Sequence, residues 1–138
     1  MINLDVLFNL FPLGGTEGDD VSHMDITEKP IYKLGMYQKL LLNFINFKKK
    51  VVTFFKETNA ELSVEEMEEA GAFVAYNRAW FYINQIDLEN SEHINAIEKY
   101  SSEELNTSLE LGIKYFQHSE EYEKCAHILK ILKISKKS

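Results

Sequence analysis

The sequence predicts an all-α fold, on three observations. Apolar residues recur at helical spacing over two long stretches, 30–57 and 63–88. Two prolines and six glycines leave long uninterrupted segments in a chain of 138 residues, a composition that favours helices over a turn-rich β fold. Serine stands three residues ahead of glutamate at Ser63–Glu66 and Ser101–Glu104, the spacing of a capping box. The expected architecture is a small bundle, one domain over 1–138. It is built on a long antiparallel hairpin of 30–57 and 63–88 plus a C-terminal hairpin of 102–117 and 120–134.

The chain opens with an apolar segment, 1–13, in which Leu4, Leu7, Phe8 and Phe11 share one helical face. Pro12 and the Gly14-Gly15 pair stop it. Such a segment is read as an arm that docks in a groove, on this chain or on a partner. Residues 14–29 read as an acidic, flexible loop. Asp19, Asp20, Ser22 and Asp25 offer oxygens, but not at EF-hand spacing.

Pro30 suits the first turn of a helix. Leu34, Tyr37, Leu40, Leu41, Phe44 and their neighbours cover about half of the helix that follows. A short connection, 58–62, then predicts an antiparallel return. In the returning helix Glu65, Glu66, Glu68 and Glu69 suit the positive end of the dipole. From Ala70 to Ile83 almost no polar stripe is left, the pattern of a helix buried on nearly every side. Arg78 sits among aromatics and needs a carboxylate, a carbonyl or a ring to face. It is expected to be a structural ion pair or stacked guanidinium, or else an anchor for a partner's acidic group.

Residues 89–100 predict a loop and a short helix capped by Ser91. Ser101 or Ser102 is expected to cap the next helix, and Ser119 the last one. In that last helix Tyr122, Cys125, Ala126, Leu129 and Leu132 are assigned to the inner face. Ile128, Ile131 and Ile134 widen it beyond what one neighbour needs, which marks them as interface candidates. The run Tyr122-Glu123-Lys124-Cys125-Ala126-His127-Ile128 resembles a UVR-type hairpin over about the last 30 residues. Leu129 and Lys130 stand where that pattern has an Arg-Asp pair. The resemblance implies docking onto another helical hairpin and nothing more.

Charge is segregated along the chain, whose net charge is −7. Residues 1–28 carry six acids and no base, and 29–56 carry seven lysines and no acid. Residues 57–123 carry sixteen acids against Arg78, Lys99 and Lys114, and 124–138 carry five lysines and no acid. Lys39, Lys48, Lys49, Lys50 and Lys56 are the candidates for contact with nucleic acid. The fold-back is expected to set Lys48, Lys49, Lys50 and Lys56 beside Glu65–Glu69, which competes with that use.

No glycine-rich phosphate loop and no nucleophile elbow is present in the sequence. Glu89/His93 and Glu123/His127 are spaced i,i+4, whereas carboxylate-bridged metal bundles use Glu-x-x-His. The expectation is a non-enzymatic protein without cofactor or metal, working by protein interaction or assembly, including with copies of itself. An acidic nucleic-acid mimic that acts as a regulator or anti-defence inhibitor is the alternative, and a small nucleic-acid-binding subunit the next. Direct nucleic-acid binding and membrane insertion are not expected. The single Cys125 and the absence of a basic leader predict a reducing cytoplasm, bacterial or phage-infected, with a virion as the other setting.

Overall fold

The computed structural model describes residues 24–58 and 64–138. Among these are six α-helices and no strand. They are α1 (Met24–Glu28), α2 (Pro30–Thr58), α3 (Val64–Ile83), α4 (Ser91–Tyr100), α5 (Glu103–His118) and α6 (Tyr122–Lys137). The all-α bundle with two helical hairpins is as expected, α2 packing along α3 and α5 along α6.

Helix α2 is the centre of the bundle and touches α1, α3, α4 and α5. Its inner face presents Leu34, Tyr37, Leu40, Leu41 and Phe44, all buried. Against it α3 sets Gly71, Ala75 and Ala79, small residues four apart and therefore stacked on one face. The fit at Gly71 is tight: a Cβ would lie 3.0 Å from the Phe44 ring, which would have to shift to admit it. The small seam brings the α2 and α3 backbones close together.

Toward α5 and α6 the same helix turns large rings. Tyr76 stacks on Tyr115, ring centres 4.2 Å apart, and meets Phe116 edge-on. Trp80 meets the edges of Phe116 and His127. Such pairs contribute about 0.5–1.5 kcal/mol each beyond their burial. α2 crosses to α5 through Tyr37, whose hydroxyl donates to the Ser108 carbonyl at 2.7 Å in the core. Burial, and after it the proximity of Tyr76, holds the Tyr37 hydroxyl well above the usual tyrosine range, so it stays protonated as a donor.

Several expectations are corrected. Residues 24–28, assigned to the acidic loop, form α1. Helix α3 stops at Ile83 rather than running to Leu88, because Gln85 and Ile86 close 3₁₀-type bonds onto Tyr82 and Ile83. The cap of α4 is Asn90, whose side chain accepts from the Glu92 amide, and not Ser91. The cap of α5 is Ser102, which accepts from the Leu105 amide. Glu104 therefore makes no box with Ser101; it accepts from Gln38 of α2 instead. Ser119 closes α5 rather than opening α6. There Glu120 takes φ 61 and the Glu121 amide bonds back to Phe116, the geometry of a Schellman close. The box at Ser63, the arm 1–13 and the loop residues 14–23 lie outside the described residues.

The inner face of α6 is also rotated from the one expected. Ile128, Ile131, Leu132 and Ser135 are buried, whereas Tyr122, Ala126 and Leu129 are exposed. A polar knot explains part of the rotation. Ser101 donates to the Ser135 carbonyl at 2.6 Å, and Ser135 to Asn106 at 2.5 Å, which turns the Ser135 side of α6 toward the α4–α5 junction.

Candidate interaction surface

Ile128 and Ile131, expected at an interface, are fully buried in this chain's own core, and Ile134 is half-buried against it. The α5–α6 hairpin packs against α4 as well as upon itself, and that second neighbour consumes the surplus apolar width. These three isoleucines offer no free docking face. Arg78 is half-buried on α3 and engaged by a neighbour. Leu4, Leu7, Phe8 and Phe11 lie outside the described residues, as does the side chain of Lys56.

The lysine face is divided. Lys48 pairs with Glu68 at 3.9 Å, as the antiparallel return predicts. Lys39, Lys49 and Lys50 are exposed and have no ion-pair partner among the described residues. Among the described residues the hairpin thus neutralises Lys48 and leaves Lys39, Lys49 and Lys50 without an ion pair.

Among the surface residues that sequence reasoning missed are Phe73 and Phe81 of α3, each 63% exposed. They stand eight residues apart, about 12 Å along the helix. Asn77 lies between them and Gln85 one turn beyond, and each amide gives one donor to its own helix. Asn77 donates to the Phe73 carbonyl at 2.8 Å, and Gln85 to the Phe81 carbonyl at 2.7 Å. The two rings dominate the strip, and one donor of each amide is folded onto its own backbone. Exposed Glu65, Glu66 and Glu69 stand at its N-terminal end. The signal was present in the sequence: Phe73, Asn77 and Phe81 recur every four residues, so the polar member marks the solvent face for its neighbours.

A second cluster caps the ring seam. The Lys124 ammonium lies 5.0 Å from the Phe116 ring and 5.4 Å from Trp80, within cation–π range. It also bonds Glu121 at 2.9 Å, and Ser119 donates to the other Glu121 oxygen. The Lys124 bond, followed by that from Ser119, holds the Glu121 carboxyl below the usual carboxylate range.

The remaining polar groups are structural. The Cys125 thiol donates to the Ile113 carbonyl at 3.4 Å, and burial pushes its pKa up, the reverse of what a nucleophile needs. His93 accepts from the Asp87 amide, and His127 lies 2.9 Å from the Ile83 carbonyl, so neither bonds the glutamate four residues before it. Among the described residues no three His, Cys, Asp or Glu side chains are grouped to hold a metal, and no helix is long and apolar enough to cross a membrane.

No protein-family model, curated protein or solved structure matches the chain. The UVR-type likeness of the last helix has no family model behind it.

Proposed function

We propose that this protein acts without catalysis, as a helical interaction or assembly subunit that docks another protein on the Phe73–Phe81 strip of α3. One observation carries the reading: two phenylalanines stand mostly in solvent on one helix face, where the Asn77 amide between them bonds back to the Phe73 carbonyl. Burying such rings in a partner's pocket is how a few aromatic residues dominate an interface. The glutamates beside the strip favour a partner helix with basic residues next to its apolar face, and its association should weaken with salt. The unpaired, protonated Cys125 suits a reducing compartment such as the cytoplasm.

The test is partner capture from native extract with the wild-type chain and with Phe73→Ser/Phe81→Ser, alongside light scattering of both. Loss of a captured protein, or of a dimer, in the folded double variant supports the reading. Identical captures and a monomer in both would overturn it. A second reading, nucleic-acid contact, keeps one observation in its favour: Lys39, Lys49 and Lys50 are exposed and form no ion pair among the described residues. A low-salt gel shift that Lys49→Glu/Lys50→Glu abolishes would move it ahead.

A further inference from the structure

The Phe73–Phe81 strip has a counterpart on this same chain. On α6, Tyr122 is 62% exposed and Leu129 40%, while the opposite side of that helix is buried. The two stand seven residues apart, with exposed Ala126 between them. Beyond Leu129, at steps of four, come Lys133 and Lys137. Both are exposed and form no ion pair among the described residues. Residues three and four apart share a helix face, so these side chains make one row. On α3 a row of the same plan carries the opposite charge. Phe81 and Phe73 stand eight residues apart, with Asn77 between them. Toward the N-terminus, at steps of four, come Glu69 and Glu65, exposed and likewise without an ion pair among the described residues. The α3 row places Phe81, Phe73, Glu69 and Glu65 at about 0, 12, 18 and 24 Å along its helix. The α6 row places Tyr122, Leu129, Lys133 and Lys137 at about 0, 10.5, 16.5 and 22.5 Å. Laid antiparallel, the two rows match within about 1.5 Å, apolar on apolar and glutamate on lysine.

We infer that the occupant of the Phe73–Phe81 strip is α6 of a second copy, so that the chain assembles with itself through α3 against α6. The inference rests on the docking reading and names the partner. Charge sets the direction of the pair. Run parallel instead, α6 would bring exposed Glu120 and Glu123 toward Glu69, acid toward acid. Charge also disfavours the symmetric alternative. Two α3 strips crossing antiparallel about Asn77 would turn Glu65 and Glu69 of each copy toward the end of the other that carries exposed Asp87 and Glu89. Helix α2 is a poorer match. Its exposed Phe54 has Asn46, not a second apolar side chain, eight residues before it. Two unlike faces make a heterologous contact, which leaves a free face at each end of an assembly until the assembly closes on itself.

Sedimentation velocity of the full-length chain over a concentration series tests it. The wild type should pass from monomer to larger species as concentration rises. Phe73→Ser/Phe81→Ser and Tyr122→Ser/Leu129→Ser should each stay monomeric alone. Mixed in equal amounts they should form a dimer, because each keeps the face that the other lacks. Glu69→Lys and Lys133→Glu should each weaken association about tenfold, and the two changes in one chain should restore it. A wild type that is monomeric at every concentration overturns the inference, and so does a mixture of the two face variants that stays monomeric. Should a face variant lose its helicity, the charge pair decides, and a double reversal that restores nothing overturns the inference. None of these results touches the docking reading, which partner capture judges separately. A foreign protein lost from Phe73→Ser/Phe81→Ser, beside a monomeric wild type, would keep the strip and reject α6 as its occupant.

Discussion

Tyr37 and Ser108 are 71 residues apart in sequence and 2.7 Å apart in the core, the tyrosine hydroxyl donating to the serine carbonyl. The bond ties the N-terminal hairpin to the C-terminal one. It needs the room that Gly112 leaves, because a Cβ at position 112 would overlap the hydroxyl. Tyr37→Phe should cost about 1–2 kcal/mol, a buried hydrogen bond lost with little change in volume. Gly112→Ala should cost about 1–3 kcal/mol through overpacking. Urea unfolding of the double variant should show less than the sum, since both changes act on one contact.

Glu121 should titrate below the ordinary carboxylate range, read by its carboxyl carbon shift in NMR. Its carboxyl is depressed in the fold, so its share of stability is present above the ordinary carboxylate range. That share is lost as pH falls through the depressed folded value. Lys124→Met should return Glu121 toward the ordinary range and flatten that part of the acid unfolding curve. A Glu121 that titrates in the ordinary carboxylate range in the wild type would contradict the Lys124–Glu121–Ser119 geometry.

Among the described serines near helix starts, Ser102 acts as an N-cap. Ser102→Ala should destabilise by about 1 kcal/mol, because the Leu105 amide loses its acceptor. Ser91→Ala should be near neutral, with Asn90 already in place, and Asn90→Ala should show the loss instead. Thermal unfolding of the three variants separates these outcomes.

The helices were legible because propensity and periodicity agree over 30–57: no proline interrupts the run, and Leu34, Leu41 and Phe44 fall where a 3.6-residue repeat puts them. The faces were less so. On α3, Phe73 and Trp80 look alike as letters, and only the partner decides which ring is covered. On α6, Ile128 and Leu129 are equal candidates for the core, and Ser135 decides between them by bonding Ser101 and Asn106, a tertiary event with no local signature. The cap of α6 misled for a related reason. Ser119 is in the right place for an N-cap, but the left-handed Glu120 makes it the end of α5. For the site, Arg78 and the isoleucines drew notice as oddities of composition, whereas the exposed Phe73 and Phe81 read as ordinary core.

The rings of Tyr76 and Trp80 act as spacers as well as glue. Each helical hairpin is already locked by its own internal contacts, so the gap between them is set by aromatic thickness and has no easy way to shrink. Trimming Trp80 to alanine should therefore leave a hollow that persists instead of one that collapses. Such a hollow would be lined by Phe116, His127 and the Lys124 stem, a ready-made pocket for indole.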